Sequence, residues 1–162
     1  MFREYFQKRR VHKLLSKFVT PNILNEVTSK QTQATRELIE KQIEFVCIAV
    51  RGETPEIISQ RMGIVAELAV SHKAMVDNMF SGIVIVTFGI IDFDSSRDRD
   101  GLSIAILKEL QENAKFIYGS TIAHCGNIGS PRLMAFSFVI PGFLDVLSEL
   151  RNLPFGEKKE WK

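Results

Sequence analysis

The chain has 162 residues, 45% of them hydrophobic and 25% charged, with a formal net charge of +2. That length suits one domain with a sizeable core, and the composition excludes a disordered or collagen-like chain. The most apolar run, Ile83 to Ile91, falls short of the ~20 residues a membrane helix needs.

Charge is uneven along the sequence. Arg3, Lys8, Arg9, Arg10, Lys13 and Lys17 face only Glu4, so residues 1–18 are a basic arm. Val11, Leu14, Leu15 and Phe18 follow i, i+3, i+4, i+7 spacing, which predicts a helix over residues 2–18. Three readings of the arm stand. It packs on a dimer mate through those four residues, it lies near an anionic membrane as a juxtamembrane segment, or it is solvated. No aromatic platform accompanies the cations, so nucleic acid is not the expected partner. No apolar stretch of a secretory leader follows the basic patch, and a cytoplasmic location is expected, whether free or on the cytoplasmic side of a membrane-associated protein. Cys47 and Cys125 sit in apolar strand-like runs and read as small buried hydrophobes in a reducing compartment.

Pro21 punctuates the chain, Asn22 to Val27 reads as a short helix, and residues 28–35 are polar and loop-like. Ile43 to Val50 is almost continuously apolar, as a covered strand should be. Thr54-Pro55-Glu56 is a helix start: hydroxyl cap, proline at the first helical position, acid in the first turn. The helix is predicted to reach His72, burying Ile58, Met62, Val65 and Ala69. Met75 to Met79 and Ile83 to Gly89 flank Ser81-Gly82, a hairpin signal. A charged loop from Asp92 to Gly101 precedes a second helix with Ser103, Ile106, Leu107, Leu110 and Ala114 inward. Phe116 to His124 and Leu133 to Ile140 are predicted strands joined by a tight turn at Gly126–Ser130, and Pro141 opens a last helix burying Phe143, Val146, Leu147 and Leu150.

This order predicts an α+β domain, a ferredoxin-like βαββαβ-type sheet with helices on one face. The expected organisation is a basic helical arm (1–27), a polar linker and lead-in (28–42), the folded domain (43–151) and a polar tail (152–162) that holds Trp161.

Several segments, taken together, resemble the class III adenylate/guanylate cyclase catalytic domain. Phe18 to Leu24 is similar to its approach segment. Ile48-Ala49-Val50-Arg51-Gly52-Glu53-Thr54 stands where the family has Ala-Asp-Ile-Arg-Gly-Phe-Thr. Asn78 to Gly89 stands at its Lys-Phe-Ile-Gly-Asp hairpin, Gly126 to Ser130 matches its Gly-Asn-Ile-Gly-Ser, and Phe138 to Leu150 parallels the strand end and helix that carry Asn and Arg. The resemblance implies a head-to-tail dimer with clefts between protomers. Each cleft takes its metal residues from one copy and Asn/Arg from the other.

It also implies missing chemistry. Hard cations such as Mg²⁺ or Mn²⁺ take oxygen ligands, and the family's metal aspartates fall at Ala49 and Gly82. Its base-reading lysine and aspartate fall at Asn78 and Gly142, and its asparagine and transition-state arginine at Asp145 and Glu149. A carboxylate where a cation should meet developing phosphate charge opposes the reaction. The expectation is therefore an inactive cyclase-like module with no cofactor, a homodimer or the companion of a signalling partner. The alternative is a divergent cyclase using displaced acids such as Asp77 or Asp92 with Mg²⁺ or Mn²⁺. Arg51, Gly52, Gly126, Asn127 and Gly129 are the candidate phosphate or anion contacts, with Arg132 a further cation.

Other constellations read as bland. Asp92, Asp94, Asp98 and Asp100 do not make a calcium loop, because Arg97 or Arg99 stands where its glycine is required. His12, His72 and His124 lack metal-ligand spacing; His72 is expected to end a helix and His124 to lie on a strand.

Overall fold

The strand β1, Ile39–Val50, is the centre of the sheet, with antiparallel neighbours on both edges. Alternate side chains leave a strand on opposite faces, and here both sets are apolar because both faces are covered. Val46, Ile48 and Val50 enter one core, and Ile43, Phe45 and Cys47 enter another. The computed structural model describes residues 38–90, 98–130 and 133–162, with backbone alone at 127–130 and 133–137. All of them fall within one compact unit. The predicted arm helix, the short helix after Pro21, the polar stretch 28–35, Asp92 and Arg132 lie outside the described residues.

The helix α1, Pro55–Ser71, starts as expected: Thr54 caps it, its hydroxyl accepting from Ile57 N at 3.4 Å. It buries Val65 and Ala69, with Ile58 and Met62 partly covered. β2 (Met75–Phe80) and β3 (Ile83–Phe88) form the hairpin. Ser81 (φ 48°) and Gly82 (φ 80°) are both left-handed, the geometry of a two-residue turn whose twist suits a hairpin. α2, Arg99–Leu110, is capped by Asp98, whose carboxylate accepts from Gly101 N at 3.0 Å and lies 2.6 Å from His72 Nδ1. A short 3₁₀ turn, Gln111–Asn113, ends it, so Ala114 belongs to the next strand and not to the helix.

β4, Ala114–Ser130, is the longest strand and pairs with β1 along all twelve residues of the latter, from Val50↔Ala114 to Ile39↔Cys125. β5 (Leu133–Val139) then pairs with the far part of β4, and α3, Phe143–Asn152, follows from Gly142 at φ 74°. The short strand β6, Lys158–Glu160, runs parallel to Phe116–Tyr118 of β4. The sheet order is β2-β3-β1-β4-β5, with β6 beside β4.

Besides that of Ala114, three expectations change. Strand β1 starts at Ile39, inside the span read as lead-in, because its polar first residues still find ladder partners on β4. Gly126–Ser130 is strand and not turn: Gly126 faces Ser137 and Ser130 faces Leu133. The helices do not share one face. α1 and α2 cover the Val46 face, whereas α3 lies on the Phe45 face through Val146 and Leu150. The tail, whose course the sequence leaves open, folds back, with Trp161 packing on the Phe45 core. Fully buried Phe45 and Phe116 anchor the two cores, each contributing about 2–3 kcal/mol of burial.

Candidate functional site

Ala49 lies near the end of β1 between Ile83 of β3 and Lys115 of β4, on the face that carries α3. Its methyl offers no donor atom. Gly82, in the adjoining hairpin turn, has no room for one. A Cβ there would stand 2.9 Å from the Val50 carbonyl oxygen, and Val50 N donates to the Gly82 carbonyl at 2.8 Å. Asn78 is exposed on β2 opposite Ile85, just past a bulge that leaves Asp77 without a ladder partner. Asp77 is partly buried, and desolvation raises its pKa above the ordinary aspartate value.

Lys115 is the residue that sequence reasoning missed. It is 7% exposed, and its ammonium donates to the carbonyls of Arg151 (2.9 Å) and Leu153 (2.7 Å) at the end of α3. Nζ also lies 4.7 Å from the centre of the Phe155 ring. Burial lowers its pKa from the ordinary lysine value of 10.5. The cation thus suits the negative end of a helix, and it stands beside Ala49 in register. The only sequence signal was a lysine inside the apolar run Ala114 to Tyr118.

On α3, Gly142 is the N-cap, and a Cβ on it would meet Asp145 Oδ2 at 3.6 Å and the Trp161 ring at 3.7 Å. Asp145 is exposed in the first turn. Glu149, one turn on, is half-exposed and forms an ion pair with Lys159 Nζ at 2.9 Å, off the direction of a hydrogen bond. Its carboxylate therefore leans toward β6, on the side of β4 away from β1. Ala49 lies on the β1 side of β4, and Gly82 is in the hairpin turn next to β3.

The candidate anion contacts do not gather in one place. Arg51 donates its N–H to Asn113 O at 3.0 Å, and its guanidinium carbon sits 5.0 Å from the Phe155 ring centre. Its carbonyl accepts from Arg61. Gly52 is pressed against the first turn of α1, where a Cβ would be 2.9 Å from Ile57 Cγ2. Gly126, Asn127 and Gly129 lie toward the opposite end of β4, in extended ladder opposite Ser137, Phe136 and Met134. From Ala114, next to Val50, to Gly126 is twelve steps (126 − 114), roughly 40 Å along the strand. Extended backbone also lacks the concave run of amides that holds a phosphate.

His72 ends α1 and pairs with Asp98, which lowers the Asp98 pKa through the bond from the imidazole. His124 is on β4 with Glu40 at 3.9 Å. Cys47 and Cys125 are free and buried, and desolvation pushes the Cys47 thiol up to about 12. Among the described residues no three His, Cys, Asp or Glu side chains cluster as metal ligands, and no helix is long and apolar enough to cross a membrane.

The architecture is similar to that of solved nucleotidyl cyclases. A bacterial light-regulated adenylyl cyclase superposes with a TM-score of 0.73 at 13% identity, over 96% of this chain and 54% of that one. The chain thus spans about half of that protein. The adenylyl cyclase CyaB from P. aeruginosa gives 0.61 at 14% identity, over 75% of this chain and 77% of its own. The guanylyl cyclase Cya2 gives 0.56 at 15%, over 75% of each chain.

The chain has the class III nucleotidyl cyclase fold.

No protein-family model matches the sequence, and no curated protein matches it. In this cyclase fold, the positions assigned to metal by the sequence resemblance carry a methyl group and a hydrogen, with an ammonium on the neighbouring strand. That donor set does not fit a divalent cation, which takes several oxygen ligands.

Proposed function

We propose that this chain is a catalytically silent cyclase-like domain that works as a dimerising relay in signalling. The observation that carries the reading is the end of β1. Ala49 and Gly82 supply no carboxylate, a Cβ at Gly82 already crowds the Val50 carbonyl, and the strand neighbour of Ala49 is a lysine, Lys115, whose ammonium is held by carbonyls at the end of α3. Across α3, the residue that takes the place of the resemblance's arginine is Glu149, engaged by Lys159.

The displaced-acid alternative draws little support from Asp77. Burial makes its charged form costlier than that of an ordinary aspartate, and a hard cation takes several oxygen ligands at once. Incubation with ATP or GTP and Mn²⁺, followed by mass spectrometry for cyclic product, is expected to yield none. Product that vanishes in Asp77→Ala would establish the active alternative instead.

Pairing with a second copy is supported by the part of the Phe45 face that α3 leaves uncovered. Phe80 is 40% exposed there opposite Ile83, beside partly exposed Ala49. The basic arm is proposed as a further seam through Val11, Leu14, Leu15 and Phe18, with an anionic membrane surface its other candidate partner. Light scattering on the chain with and without residues 1–18 is expected to give a dimer that weakens on removal of the arm. A monomer in both cases would remove the relay reading.

A further inference from the structure

We propose that Pro154–Lys162 is a detachable strap, and that the slot it fills beside β4 accepts the same strap from a second copy of the chain. This inference stands independently of the catalytic state of the domain. The strap leaves α3 at Leu153, whose extended backbone (φ −69°, ψ 134°) leads straight into Pro154. It then grips the body at its two ends. Near its start, the Phe155 ring meets the Arg51 guanidinium, 5.0 Å from its centre, and Lys115 Nζ, 4.7 Å from it. At its far end, the Trp161 indole packs edge-on to Phe45, with ring centres 5.8 Å apart and planes at 62°.

Between these anchors Gly156–Glu160 is exposed and held mainly by backbone. Gly156 N donates to Ala114 O (2.8 Å), Phe116 N to Glu157 O (3.2 Å) and Trp161 N to Tyr118 O (2.8 Å), around the three-residue parallel ladder. Glu149–Lys159 adds one ion pair. A segment with two seated aromatics and a solvated spacer is built as a bound peptide is: strand addition supplies the backbone bonds, and a pocket reads an anchoring side chain.

The body is shaped to receive it. A Cβ on Gly119 would lie 3.0 Å from the Trp161 carbonyl oxygen and 3.2 Å from the Phe45 ring, and one on Gly142 would lie 3.7 Å from the indole. The missing side chain at Gly119 thus makes room for the strap's backbone beside Phe45, and the Gly142 backbone lies in contact range of the indole. The slot's chemistry, an edge strand with a socket for one aromatic and two cations for another, is complementary to the strap's own sequence. Rotation at Leu153–Pro154 frees the strap without unwinding α3. A second copy then offers the same nine-residue complement, against the high local concentration of the tethered one.

The test is fluorescence anisotropy of a fluorescein-labelled peptide spanning residues 154–162, titrated with the 162-residue chain and with its Trp161→Ala variant. The variant is expected to bind the peptide at least ten-fold more tightly than the wild type, whose own strap competes. A peptide carrying Trp161→Ala is expected to bind neither. Equal binding to both chains, or none to the variant, would overturn the proposal. Should Trp161→Ala lose the fold by circular dichroism, Phe155→Ala replaces it in the same titration. It loosens the strap while leaving the Phe45 core filled, and peptide binding no tighter than that of the wild type would equally overturn the proposal.

Discussion

Replacing Lys115 by methionine keeps an unbranched side chain of similar length and removes only the ammonium. That ammonium donates at 2.9 Å and 2.7 Å to two carbonyls at the end of α3 and faces the Phe155 ring. Hydrogen bonds from a charged donor contribute about 1.5–3 kcal/mol each, and a partly buried cation–π contact about 0.5–2 kcal/mol. Two terms reduce the sum. The lowered pKa reflects a desolvation cost that methionine does not carry, and carbonyls at a helix end turn readily to water. The expected net loss is about 3 kcal/mol, which lowers Tm by about 6–12 °C at the ~2–4 °C per kcal/mol of a chain this size. Urea unfolding followed by far-UV circular dichroism measures the loss. Trp161, the only tryptophan in the sequence, reports on the strap, and its emission should shift to the red. A loss below about 1 kcal/mol with unchanged emission would refute the reasoning, because Lys115 would then be a bystander and not the tie between β4, α3 and the strap.

Two further outcomes follow from buried polar groups. Thr87 is fully buried, and its hydroxyl finds no hydrogen-bond partner among the described residues, so Thr87→Val should raise stability by about 1 kcal/mol in chemical denaturation. A destabilised variant would show that the hydroxyl has a partner. Burial raises the Asp77 pKa, so ionised Asp77 costs stability at neutral pH, and that cost fades as pH falls through its folded pKa toward the ordinary 3.8. Asp77→Asn should therefore unfold at higher urea than the wild type at pH 7, with the two converging below pH 3.8. An advantage that does not shrink with acid would contradict the burial account.

Local chemistry made much of the fold legible. Thr54-Pro55-Glu56 marked α1 because capping is a local event, and Ser81-Gly82 marked the hairpin because its turn demands left-handed backbone. The apolar stripe on α3 announced burial correctly, yet a stripe does not say which sheet face will cover it. Glycines at 126 and 129 suggested a turn, but pairing with β5 extends the strand through them. β6 is short and charged, so nothing in Lys158-Lys159-Glu160 signals a strand until β4 offers an edge. At the candidate site, it was plain from the sequence that Ala49 and Gly82 offer no side-chain oxygen. The roles of Lys115 and Phe155 were not plain, since their partners lie far away in sequence: Lys115 reaches carbonyls 36 and 38 residues on. Lys159 meets Glu149 only because the tail folds back.

The central position of β1 has a consequence for how the protein is made. Its ladder partners on β4 come 64 residues later at Val50↔Ala114 (114 − 50) and 86 residues later at Ile39↔Cys125 (125 − 39). A chain emerging from the ribosome must hold the apolar run from Ile43 to Val50 with its β4 edge unpaired, even once β3 has formed on the other edge, while dozens of further residues are added. Such distant pairing slows folding and leaves sticky strand exposed in the meantime. Nascent chains of this protein are therefore expected to engage chaperones until β4 has left the exit tunnel.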